Sequence, residues 1–97
     1  MNSFLITYDN TPPRDYRRLV DLMIKWRATR LAKSVWLVNL PAIAAQVRDA
    51  VQTTLQPNDP IAVVQLVRGA DWAVNGAVDA GAAAWLSVNV QMAERAA

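Results

Sequence analysis

The chain has 97 residues, 54% of them hydrophobic, which is the length and composition of one small domain with one core. It contains neither cysteine nor histidine, which removes disulfides, thiol nucleophiles, the usual zinc ligand sets and imidazole general bases. Net charge is only +2, yet most of the 10 basic residues are arginine, the side chain whose planar fork suits phosphate oxygens.

The acids are aspartates and Glu94, so a metal site would be built from oxygen and would suit magnesium, manganese or calcium. Uninterrupted apolar runs fall far short of the roughly 20 residues that cross a bilayer, and no signal-peptide pattern opens the chain. A cytoplasmic protein with no membrane partner is expected.

The first element is a strand over residues 3–9, where Phe4, Ile6 and Tyr8 alternate with Leu5, Thr7 and Asp9. After the turn-forming Asn10-Thr11-Pro12-Pro13, the spacing of Tyr16, Leu19, Val20, Met23 and Ile24 predicts helix one from about Pro13 to Arg27 or Ala28, with Asp15 in its first turn. Residues 29–40 have strand composition interrupted at Lys33-Ser34, which predicts two short strands joined by a tight turn. Ile43, Val47, Val51 and Leu55 then place helix two over 41–55, with Pro41 in its first turn and Asn39 or Leu40 as cap. "QPND" marks a turn, and 60–68 reads as an almost continuous apolar strand.

That order predicts an α+β domain of the ferredoxin-like βαββαβ kind, an antiparallel sheet with two helices on one face. The core spans 3–68. The extension, 69–97, is expected to add a short strand through Trp72 and Val74 and an alanine-rich helix capped by Asp79, folded onto the body or onto a second subunit. Two helices cover one face of such a sheet. Leu5, Thr7, Ala62, Val64 and Leu66, or their neighbours Ile61, Val63 and Val67, then face water, which predicts a partner on the sheet face.

Asp9, at the carboxyl end of the first strand, is the foremost site candidate. If Phe4, Ile6 and Tyr8 lie under the helices, it shares the other face with Leu5 and Thr7, where a two-fold axis would bring two such carboxylates together. Spacing also permits a plain Asx-turn. Arg14, Arg17, Arg18, Lys25, Arg27, Arg30 and Lys33 concentrate positive charge in one band, which can follow phosphates or form a solvated face with Asp21 paired to Arg18 and Lys25. Ser34 has no histidine to activate it and suits a turn or a phosphate contact. Trp26, Trp36, Trp72 and Trp85 suit core or interface anchors, and none is assigned to a nucleotide.

The string "FLITYD", "RLAKSVWLVNL" after helix one and "NDPIAVVQLV" after helix two resemble the small CRISPR-associated Cas-two family over about residues 3–68. The tryptophan of "SVW", the "ND" and the tail "DWAVNG…AAAWLSVN" resemble the stand-alone Cas-two-like proteins labelled SinR-like. The resemblance implies a homodimer with facing sheets whose paired Asp9 residues bind Mg2+ or Mn2+. It implies either a metal-dependent endonuclease for RNA or double-stranded DNA, or a spacer-acquisition adaptor that bridges integrase subunits. The nucleic-acid contacts would be Arg14, Arg17, Arg18, Arg30, Lys33 and Ser34. The alternative from a different class is a non-catalytic structural or regulatory dimer unrelated to CRISPR.

Overall fold

The alternation along residues 3–9 becomes the two faces of a central strand in the computed structural model, which describes residues 1–9 and 15–90. The elements are β1 (Asn2–Tyr8), α1 (Arg17–Lys25), β2 (Thr29–Ala32), β3 (Val35–Leu40), α2 (Ala44–Gln52), β4 (Ile61–Leu66) and α3 (Ala82–Asn89). The four strands form one antiparallel sheet in the order β2-β3-β1-β4. The fold is therefore α+β, and the expected hairpin turn at Lys33-Ser34 joins β2 to β3.

Phe4, Ile6 and Tyr8 of β1 pack with Trp36 and Val38 of β3 against Leu19 and Met23 of α1 and Val47 and Val51 of α2. This is the main core, and its members stand at the period of two on strands and of about four on helices that the sequence shows. The helices are shorter than expected. The first begins at Arg17 because Asp15 lies ahead of it, its carboxylate accepting the Arg17 N–H at 3.1 Å, with Tyr16 at the cap position. Pro13, the predicted first helical residue, lies outside the described residues.

At the other end of α1, Arg27 takes φ 57°, the left-handed conformation usually given to glycine. Its N–H bonds the Ile24 carbonyl and the Ala28 N–H bonds the Met23 carbonyl, the paired pattern that closes a helix. The second helix starts at Ala44, not Pro41, and its cap is Ile43, whose N–H is accepted by Gln46 Oε1 at 3.0 Å. Asn39 and Leu40 cannot cap it because both belong to β3.

The sheet's second face corrects the expectation that it waits for a partner. Leu37 is fully buried there, with Leu5, Leu31 and Leu66 around it, beneath Ala82, Leu86 and Val90 from α3 and its C-terminal flank. The chain's own C-terminal segment covers most of the leucines that parity assigned to water. Ala62 and Val64, at the β4 side, remain exposed.

No strand forms at Trp72 and Val74. They lie in an irregular connector and pack into this second cluster, while Gly69 and Gly76, with φ of 87° and 71°, turn the chain as few other residues can. The Val78 and Asp79 N–H groups then donate to the Leu31 and Arg30 carbonyls of β2, each at 3.1 Å. The cap position of α3 is Gly81, not Asp79, although the Asp79 carboxylate accepts the Gly81 N–H at 2.8 Å.

Candidate functional site

Antiparallel pairing puts the end of β1, the β2–β3 turn and the start of β4 at the same end of the sheet. Thr7 pairs with Val35 and with Ala62, and the Tyr8 N–H reaches the Ser34 carbonyl at 3.3 Å. Asp9 follows, exposed, with its own N–H bonded to the Pro60 carbonyl at 3.0 Å. It borders an open hollow lined by Thr7, Tyr8, Pro60, Ile61 and Ala62 at this end of the sheet.

On the face that packs against α1 and α2, the same end carries a cluster of one cation and three aromatic rings. Arg30 pairs with Trp36 across β2 and β3, and its guanidinium lies 5.0 Å from the centre of the indole ring. One of its terminal nitrogens donates to the Lys33 carbonyl at 2.5 Å, and its buried Nε finds no hydrogen-bond partner. The Trp36 indole N–H donates to the Tyr8 hydroxyl at 3.0 Å, and the Tyr8 and Tyr16 ring centres are 5.9 Å apart. Burial pushes the Tyr8 phenol above its ordinary pKa, while the Trp36 N–H and the Arg30 charge pull the other way.

This arrangement fixes a guanidinium at one orientation. Stacking on an indole is worth about 0.5–2 kcal/mol, and the Lys33 carbonyl removes a further degree of freedom. A planar fork held this way loses less entropy on meeting an anion than a free side chain would.

The remaining predicted contacts are distributed around it. Lys33 is exposed in the turn, and Ser34 is half-buried with its carbonyl committed to Tyr8. Arg18 is exposed on the first turn of α1. Arg17 is bound to Asp15 at 2.9 Å, which draws the Asp15 carboxyl down to about 2 and raises the guanidinium. Its charge is thus shared with a neighbour. Arg14 lies outside the described residues.

Sequence reasoning passed over Asp59. The turn before β4 buries this carboxyl to 4% exposure, where it accepts the Gln56 N–H at 2.8 Å while its own N–H donates to the Gln56 carbonyl at 3.0 Å. Turn chemistry signalled the bend but not the burial. The Arg30–Trp36 stack was hidden, since a regular two-residue turn at Lys33-Ser34 would set Arg30 opposite Leu37, and a register shift between Arg30 and Ala32 brings it opposite Trp36 instead.

A hard divalent cation is compatible with Asp9 in one specific sense. A single exposed carboxylate suits magnesium or manganese that keeps waters and shares a substrate phosphate, not a cation caged by protein. Among the described residues, no three acidic side chains converge into such a cage.

No family model matches the chain, and neither a curated protein nor a solved structure matches it. No helix among the described residues is long and apolar enough to cross a membrane.

Proposed function

We propose that this chain is a Cas-two-like protein that binds RNA or double-stranded DNA through the end of its sheet that carries Asp9, Arg30, Lys33 and Ser34. The observation that carries the reading is Arg30, a guanidinium stacked on Trp36 and tied to the Lys33 carbonyl. Phosphate oxygens are the acceptors that such a preorganised fork suits, and Lys33 and Arg18 add exposed charge. The strand order β2-β3-β1-β4, with α1 and α2 on one face, supports a ferredoxin-like protomer.

Asp9 would hold Mg2+ or Mn2+, with water and phosphate completing the shell. Bound there, the ion would neutralise phosphate charge and lower the pKa of its water. Asp9 itself orients that ion from a strand end fixed on both sides by β-pairing.

The homodimer belongs to this proposal in a narrower form. Because α3 covers Leu5, Leu37 and Leu66, a second copy would use the open strip of Ala62 and Val64, which adjoins the Asp9 hollow. Bridging of integrase subunits would be a further use of such a dimer, and a regulatory dimer without nucleic acid is the competing class.

The test is binding and cleavage of single-stranded RNA and duplex DNA, with magnesium or manganese against chelator, beside Asp9→Ala. The expected result is binding by both proteins, with any cleavage abolished by chelator and by the substitution. Failure to bind either polymer at low salt with magnesium present would overturn the proposal.

A further inference from the structure

The two edges of the sheet differ. β2 carries the cationic Arg30, a register shift between Arg30 and Ala32, and the Arg30 and Leu31 carbonyls that accept the Asp79 and Val78 N–H groups at 3.1 Å. Charge, irregular pairing and a covering segment are the devices that keep an edge strand from adding another strand. β4 has none of them. Its 6 residues, IAVVQL, contain no charge, proline or glycine, they pair with β1 without a register shift, and among the described residues no strand lies outside them.

The orientation of the β4 backbone follows from its pairing. The Asp9 N–H bonds the Pro60 carbonyl, which makes residue 60 a bonded position, and alternation then gives the backbone groups of Ala62 and Val64 to β1. Ile61, Val63 and Gln65 therefore turn both N–H and C=O outward along the open edge. Their side chains sort separately. Ile61 and Val63 are partly buried against the main core, while Ala62 and Val64, on the face of Leu5, stay exposed, Val64 at 52%.

Such an edge takes an extended chain, because a strand offers donors and acceptors at the matching spacing. The strand on hand that suits it is β4 itself. Set antiparallel about a two-fold axis at Val63, this residue exchanges both bonds with the partner's Val63, and Ile61 does so with the partner's Gln65, while Val64 meets the partner's Ala62 on the exposed face. No like charges oppose each other along this seam. The contact also closes, since it consumes both β4 edges and leaves the guarded β2 edges outermost, so assembly stops at two copies.

We infer that two copies of this chain pair through β4, joining their 4-stranded sheets into one continuous sheet. This pairing specifies how the copies meet in the proposed homodimer, and so rests on that reading, but it needs no nucleic acid. A seam one short strand long buries less than a standard interface, so a dissociation constant of about 1–100 μM is expected.

The experiment is sedimentation of the full chain across concentration, without nucleic acid, together with amide hydrogen exchange by NMR at low and high concentration. A monomer–dimer equilibrium is expected, in which the Ile61, Val63 and Gln65 amides gain about tenfold or more in protection as the dimer fills, while Ala62 and Val64 are protected at every concentration. Val64→Lys, which sets two cations about 7–8 Å apart across the seam, and Gln65→Pro, which removes an outward N–H, should each weaken the dimer by about tenfold or more with wild-type circular dichroism. The exchange result needs no variant and decides the matter if either substitution impairs folding. A chain still monomeric at about 1 mM, protection of the outward amides that does not change with concentration, a dimer that leaves those amides open as face-to-face contact would, or full dimerisation of both folded variants would overturn the pairing. Failure to bind RNA or DNA by a chain that dimerises in this way would overturn the nucleic-acid reading alone.

Discussion

Leu86→Ala is the sharpest probe of the way this sheet is closed on its second face. Leu86 is 5% exposed and meets Leu37, which is fully buried, from α3. Alanine removes the equivalent of three buried carbons, about 2.4 kcal/mol at ~0.8 kcal/mol each, before any cavity contribution. Core leucine truncations fall at about 2–5 kcal/mol, and this cluster lies under one short helix that can partly collapse, so about 2.5–3 kcal/mol is expected. For a domain of this size that lowers the melting temperature by roughly 10–20 °C. Val88→Ala, on the same helix at 72% exposure, should change stability by less than about 0.5 kcal/mol. Urea and thermal unfolding followed by circular dichroism read the difference, and amide exchange over 82–90 reads the docking of α3 directly. Equal effects of the two substitutions on both readouts would refute the packing of α3 on the leucine face.

Burial raises the Tyr8 pKa above 10, so the neutral phenol is favoured in the folded state; its contribution is full below pH 10 and lost as pH rises through the folded value. Wild type should therefore lose stability relative to Tyr8→Phe in that alkaline window, and parallel curves would contradict the assignment. Asp59→Ala should lower stability by about 1–3 kcal/mol in urea unfolding, because the Gln56 N–H loses its carboxylate, whereas the exposed Asp9→Ala should stay within about 0.5 kcal/mol. Arg27→Gly should be neutral or stabilising by up to about 1 kcal/mol, since glycine removes the penalty of a left-handed residue; a clear loss would mean that the Arg27 side chain is needed.

The elements set by local pattern were legible in the sequence. Phe4, Ile6 and Tyr8 alternate and are buried together, Leu19 and Met23 are four apart and share a helix face, and Lys33-Ser34 turns the hairpin. The cover of the second face was not. Its contacts join Leu86 to Leu37 and Trp72 to that same cluster across long stretches of chain, and the alanine-rich α3 shows no apolar stripe to announce a partner surface. Trp72 and Val74 alternate like a strand, yet tertiary packing of their side chains and the turns at Gly69 and Gly76 decide otherwise.

The site divides in the same way. Asp9 was visible as a strand end, since it directly follows β1. Burial of Asp59 was hidden, because a "QPND" turn looks the same whether its aspartate points to water or inward. The ion pair that occupies Arg17 was likewise hidden, since the sequence suggested Asp21 as the partner of helix-one cations while Asp15 sits within hydrogen-bond reach.

The salt dependence of nucleic-acid binding tests the central claim most directly. Affinity for duplex DNA or single-stranded RNA would be measured from low to physiological salt for wild type, Lys33→Ala and Arg30→Gln. A phosphate-binding sheet end predicts a steep fall of affinity with salt, with the slope of log K against log salt reduced by roughly 0.7–0.9 in each variant. Salt-insensitive binding, or variants with the wild-type slope and affinity, would contradict it.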